Sequence, residues 1–266
     1  MSAHQLFSSL HIANGGLSGI GDEFFSGRIF NKVFPEIFIE GAKNTIIFTA
    51  IAFTGGLIFG LGLALLRTSK KKYLRWPAAS FIDFIRGLPL LLIMIVIGLG
   101  FPILFKDYQL NFPGPLDFLN TMWPFGRDGT KYIPGALALS LVAGAYMAET
   151  IRAGIESVPK GQMEAARSLG MTNSQTMRKV ILPQAFRTIV GPLTNELALL
   201  FKDTSLVSVL GVEVGGRELT KFARDSTNQL ANTTPLIAAG ICYLIITIPL
   251  LQLVQYFERR SKAGTR

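Results

Sequence analysis

The sequence predicts an all-α, polytopic integral membrane protein of about five transmembrane helices, with a helical cytoplasmic loop between helices three and four. Three observations carry this reading. First, only 16% of the 266 residues are charged and 49% are hydrophobic, and the mean hydropathy is +0.40. A soluble domain carries about 25% charged residues, so this chain has too few to cover a soluble surface, and it is too apolar for disorder. Second, the apolar residues fall in uncharged runs near the roughly 20 residues that cross a hydrocarbon core about 30 Å thick. Third, the basic residues segregate between the segments that join those runs.

The elements follow in chain order. Residues 1–43 are polar enough to read as an extracytoplasmic N-terminal segment, and they lack the basic start and apolar stretch of a cleavable signal peptide. Span one, about 44–66, is uncharged from Thr45 to Leu66. Its Gly56 and Gly60, beside Gly55 and Gly62, have the spacing of close helix packing, either within one subunit or between two. Span two, about 80–105, has its uncharged core at Gly87 to Phe105, and Gly87 and Pro89 mark a kink or an unwound turn. An outer loop, 106–132, mixes turn formers with aromatics. Its Trp123 is expected at the membrane interface or on a docking surface. Span three, about 132–152, reaches full length only by including Glu149. Span four, about 186–212, is apolar but broken by Glu196, Lys202 and Asp203. Span five, about 234–257, precedes a short tail, 258–266.

The formal charge of +9 comes from 26 Lys and Arg against 17 Asp and Glu. Five spans place the segments 67–77, 152–187 and the tail on one side with 15 of those basic residues. They place 1–44, 106–132 and 213–235 on the other with 9, and leave Arg86 and Lys202 within spans. The basic side is expected in the cytoplasm, with the N-terminus outside and the C-terminus inside. The excess is therefore orientation charge, and nucleic acid is not expected as a partner. A single cysteine, Cys242, excludes a disulfide within the chain and reads as a buried small hydrophobe. His4 and His11 have no companions for a metal site.

The cytoplasmic loop, 157–185, is patterned. Pro159 suits a helix start, Gln162 to Leu169 are mostly good helix formers, and Gly170 suits a stop just past the helix. Thr172 and Gln175 have capping-box spacing for a second short helix, which Pro183 should interrupt. Ala165 and Ala166 offer a low surface to a partner, and Glu164 offers an acceptor beside them. The competing reading is an amphipathic segment lying on lipid headgroups.

The run Glu164-Ala165-Ala166-Arg167-Ser168-Leu169-Gly170, followed by Ile181-Leu182-Pro183, resembles the EAA loop of ABC importer permeases. Three other stretches resemble the polar-amino-acid branch of that family: Tyr146 to Ile155, Phe84 to Leu91, and Lys202-Asp203-Thr204-Ser205-Leu206. The likeness covers about 44–258. It implies a non-catalytic transmembrane subunit of the bacterial inner membrane whose loop helix is a coupling helix. It further implies two cytoplasmic ATPase subunits that hold the ATP and Mg, a second permease subunit, identical or related, an extracytoplasmic binding protein and an amino-acid substrate. By that likeness the coupling role falls on Gly161, Glu164, Ala165, Ala166 and Gly170.

Ionisable groups inside spans are costly and mark functional positions. Asp83 with Arg86, and Glu149 with Arg152, are spaced to pair along a helix. They either fix helices or, like Glu196, line a path, and the adjacent Lys202 and Asp203 mark either a break in the helix or part of that path. An amino-acid zwitterion needs partners of both signs, so Arg86, Glu149, Glu196, Lys202 and Asp203 are the substrate-path candidates. The alternative function is an ion-coupled secondary transporter or channel using the intramembrane carboxylates, which would depend on ion gradients without an ATPase. No enzyme motif appears. The dipeptide Gly-Lys never occurs, so the chain has no phosphate loop of its own.

Overall fold

A computed structural model of the chain describes residues 25–100, 129–210 and 217–263. His4, His11, Trp123 and most of the outer loop 106–132 lie outside these residues.

Helix α1 runs from Gly27 to Arg67 as one apolar rod. It starts well before the expected position 44, because its first turns are amphipathic rather than uncharged. Val33 and Ile37 are buried there, and Phe30, Phe34 and Phe38 stack along the rod at centroid distances of 4.9 and 6.0 Å. Arg28, Lys32 and Lys43 remain on its exposed side. A π turn at Ile37–Gly41 follows Pro35, whose missing N–H removes one helical hydrogen bond.

Gly55, Gly56 and Gly60 of α1 meet helix α4, Gly129–Glu156. A Cβ at Gly56 would lie 3.0 Å from Ala143 Cβ, and one at Gly60 would lie 2.7 Å from the Gly144 carbonyl oxygen. The Gly56/Gly60 spacing therefore packs two helices of one subunit. Phe48, Ala52, Leu139, Ala143 and Met147 close the seam and join Met94, Leu200, Val207 and Leu210 in the central core.

Span two is not a continuous helix over 80–105. Helix α2, Lys72–Gly87, is followed by α3, Leu90–Gly100, bent away from it by 102°. Leu88 is extended at the corner, with φ −102° and ψ 142°, as a residue before proline must be, and Pro89 then opens α3. Gly87 and Pro89 produce the break that their spacing implied.

The loop after α4 folds as a short helix α5, Lys160–Ser168, whose N-cap is Pro159. Gly170 follows with φ +81°. The Gly170 N–H donates to the Arg167 carbonyl and the Met171 N–H to the Ala166 carbonyl, at 3.0 and 3.2 Å. This is the Schellman arrangement, and it needs a residue tolerant of the left-handed region. Thr172 and Gln175 form the capping box. The helix they start does not end at Pro183. Instead Asn173–Thr176 passes through a π turn, Met177–Ile181, into Leu182–Asp203. The wider turn comes just before the proline, whose ring and missing N–H fit the first positions of the helix that follows. This whole run, 173–203, is α6, and a 3-10 segment, Thr204–Leu210, extends it.

Helix α7, Leu219–Leu230, packs beside the final helix α8, Thr234–Ala263. Between them and α1 lies a second core of Val33, Ile37, Phe201, Leu219, Phe222 and Cys242, and Cys242 is fully buried there. Among the described residues three helices, α1, α4 and α8, are long and apolar enough to cross a membrane, and the bent α2–α3 pair has the length and composition for a broken span or a re-entrant loop. No strand occurs among the described residues.

Candidate functional site

Two regions hold the residues singled out from sequence. The first is the loop 157–185. Gly161, Glu164 and Ala165 are exposed on α5, and a Cβ at Gly161 would meet nothing within 4 Å. The lack of a side chain at Gly161 therefore serves no packing inside the described chain. Ala166 departs from expectation. It is 4% exposed and faces its own protein, because α5 lies against the first turns of α6, where Thr176 and Ile181 are buried. The low exposed surface is instead Gly161 and Ala165, four residues apart and so on one face. Leu169 continues that face and was missed from sequence. It is 81% exposed, held outward at the helix end by the Gly170 turn.

The second region is a cluster where α1, α2 and α4 meet. Glu149 stands at its centre with 16% of its side chain exposed. Its carboxylate accepts from Arg152 at 2.9 Å and forms an ion pair with Arg67 at 2.9 Å, and Arg86 approaches to 4.0 Å. Arg152 also reaches Glu156 at 2.5 Å. The Glu149–Arg152 pair forms as its spacing implies, but Asp83 and Arg86 do not pair. Asp83 turns to Arg67 at 3.2 Å, and the Arg86 guanidinium lies over the Tyr146 ring, 5.2 Å from its centroid. Arg67 is the member that sequence reading missed. It sits at the end of span one, among basic residues counted only for orientation, and its partners lie far along the chain. Three arginines oppose three carboxylates, so the cluster is balanced and ties three helix ends together.

The remaining path candidates lie on α6. Glu196 and Asp203 are partly buried and Lys202 is exposed. Of the five path candidates, Arg86 and Glu149 meet in the cluster, while Glu196, Lys202 and Asp203 stand on α6 with no ion pair among the described residues.

A third polar site was not foreseen. Glu218 is 1% exposed and caps α7, accepting from the Thr220 and Lys221 N–H groups at 2.7 and 2.6 Å. Tyr243 Oη on α8 donates to it at 3.2 Å. Desolvation raises its carboxyl to about 7, although each of these hydrogen bonds opposes the rise. The same corner is pinned to α1: the Leu219 N–H donates to Thr45 Oγ1 at 3.1 Å, and Arg217 reaches Glu40 at 3.5 Å while lying over the Phe222 ring. Among the described residues no group of three or more His, Cys, Asp or Glu stands close enough to hold a metal ion.

Comparison with known proteins agrees with these features. The chain is 39% identical over 234 residues to the L-cystine transport system permease protein of Bacillus subtilis, covering 87% of this chain and 89% of that protein. It is 33% identical over 234 residues to the glutamate/aspartate import permease protein of Escherichia coli, covering 87% and 97%. A solved structure described as an amino acid ABC transporter with histidines superposes with a TM-score of 0.73 at 33% identity, covering 89% of this chain and 100% of that one. The profile of the binding-protein-dependent transport system inner membrane component matches residues 56–263, and with most of its length so matched the chain belongs to that family of membrane permease subunits.

Proposed function

We propose that the chain is the permease subunit of an ATP-driven amino-acid importer and carries the cargo inward through five membrane-crossing segments. The fifth is α6, whose charges make it the least apolar. A permease of this family works with an ATPase and a substrate-binding protein. Here two ATPase subunits would sit in the cytoplasm and hold the ATP and Mg, a second permease subunit, identical or related, would complete the path, and the binding protein would deliver the amino acid from outside. The N-terminus faces outward and the C-terminus the cytoplasm, in keeping with the 15-to-9 division of basic residues.

The observation that carries the reading is the coupling loop. A capped, Schellman-terminated helix presents Gly161, Glu164, Ala165 and Leu169 outward, while Ala166 anchors it to α6. A load applied to α5 is therefore passed to a helix that continues into the membrane. Closing the ATPase dimer would shift the opening of the path only if the two states differ in free energy of contact, and this rigid joint supplies that contact. Along the path, Arg86 and Glu196 offer one partner for each end of a zwitterion, with Glu149 setting the position of Arg86 and Asp203 and Lys202 at the end of α6. The relatives named above carry amino acids, which favours this cargo over an ion.

The test is uptake in cells with the whole transporter. Glu164→Lys and Gly170→Asp should leave the chain inserted at normal abundance and abolish ATP-driven uptake. Normal uptake by both variants would remove the loop from coupling.

A further inference from the structure

A cavity of about 340 Å³ opens between the end of α1, helix α2 and the end of α4, lined by Arg67, Arg75, Trp76, Ser80, Asp83 and Arg152, with Glu156 and Ala79 completing it. This is large enough for the polar part of a small ligand. Its charges are not balanced. Arg67 and Arg152 are engaged by Asp83, Glu149 and Glu156, whereas Arg75 has no ion-pair partner among the described residues. Three lysines, Lys70, Lys71 and Lys72, stand at the start of α2, so the rim is more positive than the lining.

The exposed face of α2 carries aromatic side chains about this cationic base. Tyr73, Trp76 and Phe84 lie along it at 69%, 66% and 64% exposure, with Ser80 between them. Ala78, Ile82 and Ile85 on the opposite face are buried. A basic pocket edged by amphipathic aromatics matches the phosphate and interfacial zones of a phospholipid.

We infer that this cavity binds the phosphate headgroup of an anionic phospholipid of the cytoplasmic leaflet, with Arg75 as its cationic partner, Ser80 as a hydroxyl donor and Trp76 as the aromatic seat. The inference rests on the orientation proposed above. Binding there would also bear on Arg67 and Arg152, so the lipid would reinforce the joint between α1, α2 and α4.

The experiment is native mass spectrometry of the assembled transporter titrated separately with phosphatidylglycerol, phosphatidylethanolamine and inorganic phosphate. Phosphatidylglycerol should be retained in preference to phosphatidylethanolamine. Arg75→Gln should weaken it about fivefold, the worth of one cationic side chain near a membrane surface. Ser80→Ala should weaken it less, and Arg259→Gln, which removes a tail charge away from the cavity, should change nothing. Equal retention of the two lipids, or an unchanged Arg75→Gln, overturns the site. Displacement of the lipid by millimolar inorganic phosphate shows a free-anion pocket and overturns the lipid assignment. The orientation is tested apart by labelling Ser69→Cys with an impermeant maleimide. Labelling from the outer face fails the topology, whereas cytoplasmic labelling with no lipid preference fails the headgroup site alone.

Discussion

Position 60 has no room for a methyl group: a Cβ there would stand 2.7 Å from a backbone carbonyl of α4, while one at position 62 would meet nothing within 4 Å. Gly60→Ala should therefore destabilise the bundle by about 1–3 kcal/mol, the usual cost of overpacking, and Gly62→Ala should stay within about 0.5 kcal/mol of wild type. The buried and unique Cys242 supplies the measurement, because a thiol-reactive dye reports the temperature at which the helices open. Equal melting of the two variants would mean that the α1–α4 seam does not limit stability. Glu149 is governed by a different term. Replacing it with Gln leaves Arg67, Arg86 and Arg152 facing one another around a neutral group. Loss of one partner from a largely buried ionic group costs about 3–5 kcal/mol, and the partial exposure of these arginines scales that down to about 2 kcal/mol. A melting temperature unchanged in Glu149→Gln would show the cluster to be solvated rather than structural. The difference between what was legible and what was not is physical. The Glu149–Arg152 pair and the Thr172–Gln175 box are local, and their spacing alone reveals them. The Arg67–Asp83 and Arg67–Glu149 contacts join residues from separate helices, so the Asp83–Arg86 pairing implied by spacing gave way to a partner that spacing cannot show.

Elements repeat this contrast. Helix α5 and its stop were legible because caps and a left-handed glycine are written into adjacent residues. The continuation of α6 through Pro183 was not, since a proline reads as a break unless the preceding turn widens, and here it does. The early start of α1 was hidden because charge counting ignores amphipathic turns whose apolar side is covered by α7 and α8. Helix α7 offers a test in solution conditions. Glu218 lies in the connection between α6 and α8, and its folded carboxyl stands near 7 against an ordinary value of 4.5. The unfolded chain then binds fewer protons than the folded one between those values, so this group's contribution favours folding at low pH and is lost as pH rises through about 7. Wild type should gain stability relative to Glu218→Gln as the pH is lowered from 8 to 5, followed by circular dichroism melting in detergent. A constant difference between the two proteins across that range would show that Glu218 titrates normally.

At the scale of the molecule, the sequence says more about orientation than about the number of crossings. Three apolar helices and one bent pair satisfy length and composition. Helix α6 does not meet that criterion, because Arg187, Glu196, Lys202 and Asp203 interrupt it. Yet α6 packs against α4 and α8 and contributes Ala198, Leu200 and Phe201 to buried positions. A helix whose acidic groups are half-buried, as Glu196 and Asp203 are, can cross a membrane without a continuous apolar run. The parity of the chain decides the matter: if α6 crosses, the coupling loop and the C-terminus share one side, and if it does not, they lie on opposite sides. With five crossings, a green fluorescent protein joined after Arg266 should fold and fluoresce in the cytoplasm. Alkaline phosphatase joined after residue 230, beyond α7, should be active outside. Neutralising Lys70, Lys71 and Lys72 should leave both signals in place, because the cytoplasmic segments still carry more basic residues than the outer ones. An inactive phosphatase fusion beside a non-fluorescent C-terminus would contradict the crossing of α6, and with it the placement of Glu196 and Asp203 on a path through the membrane.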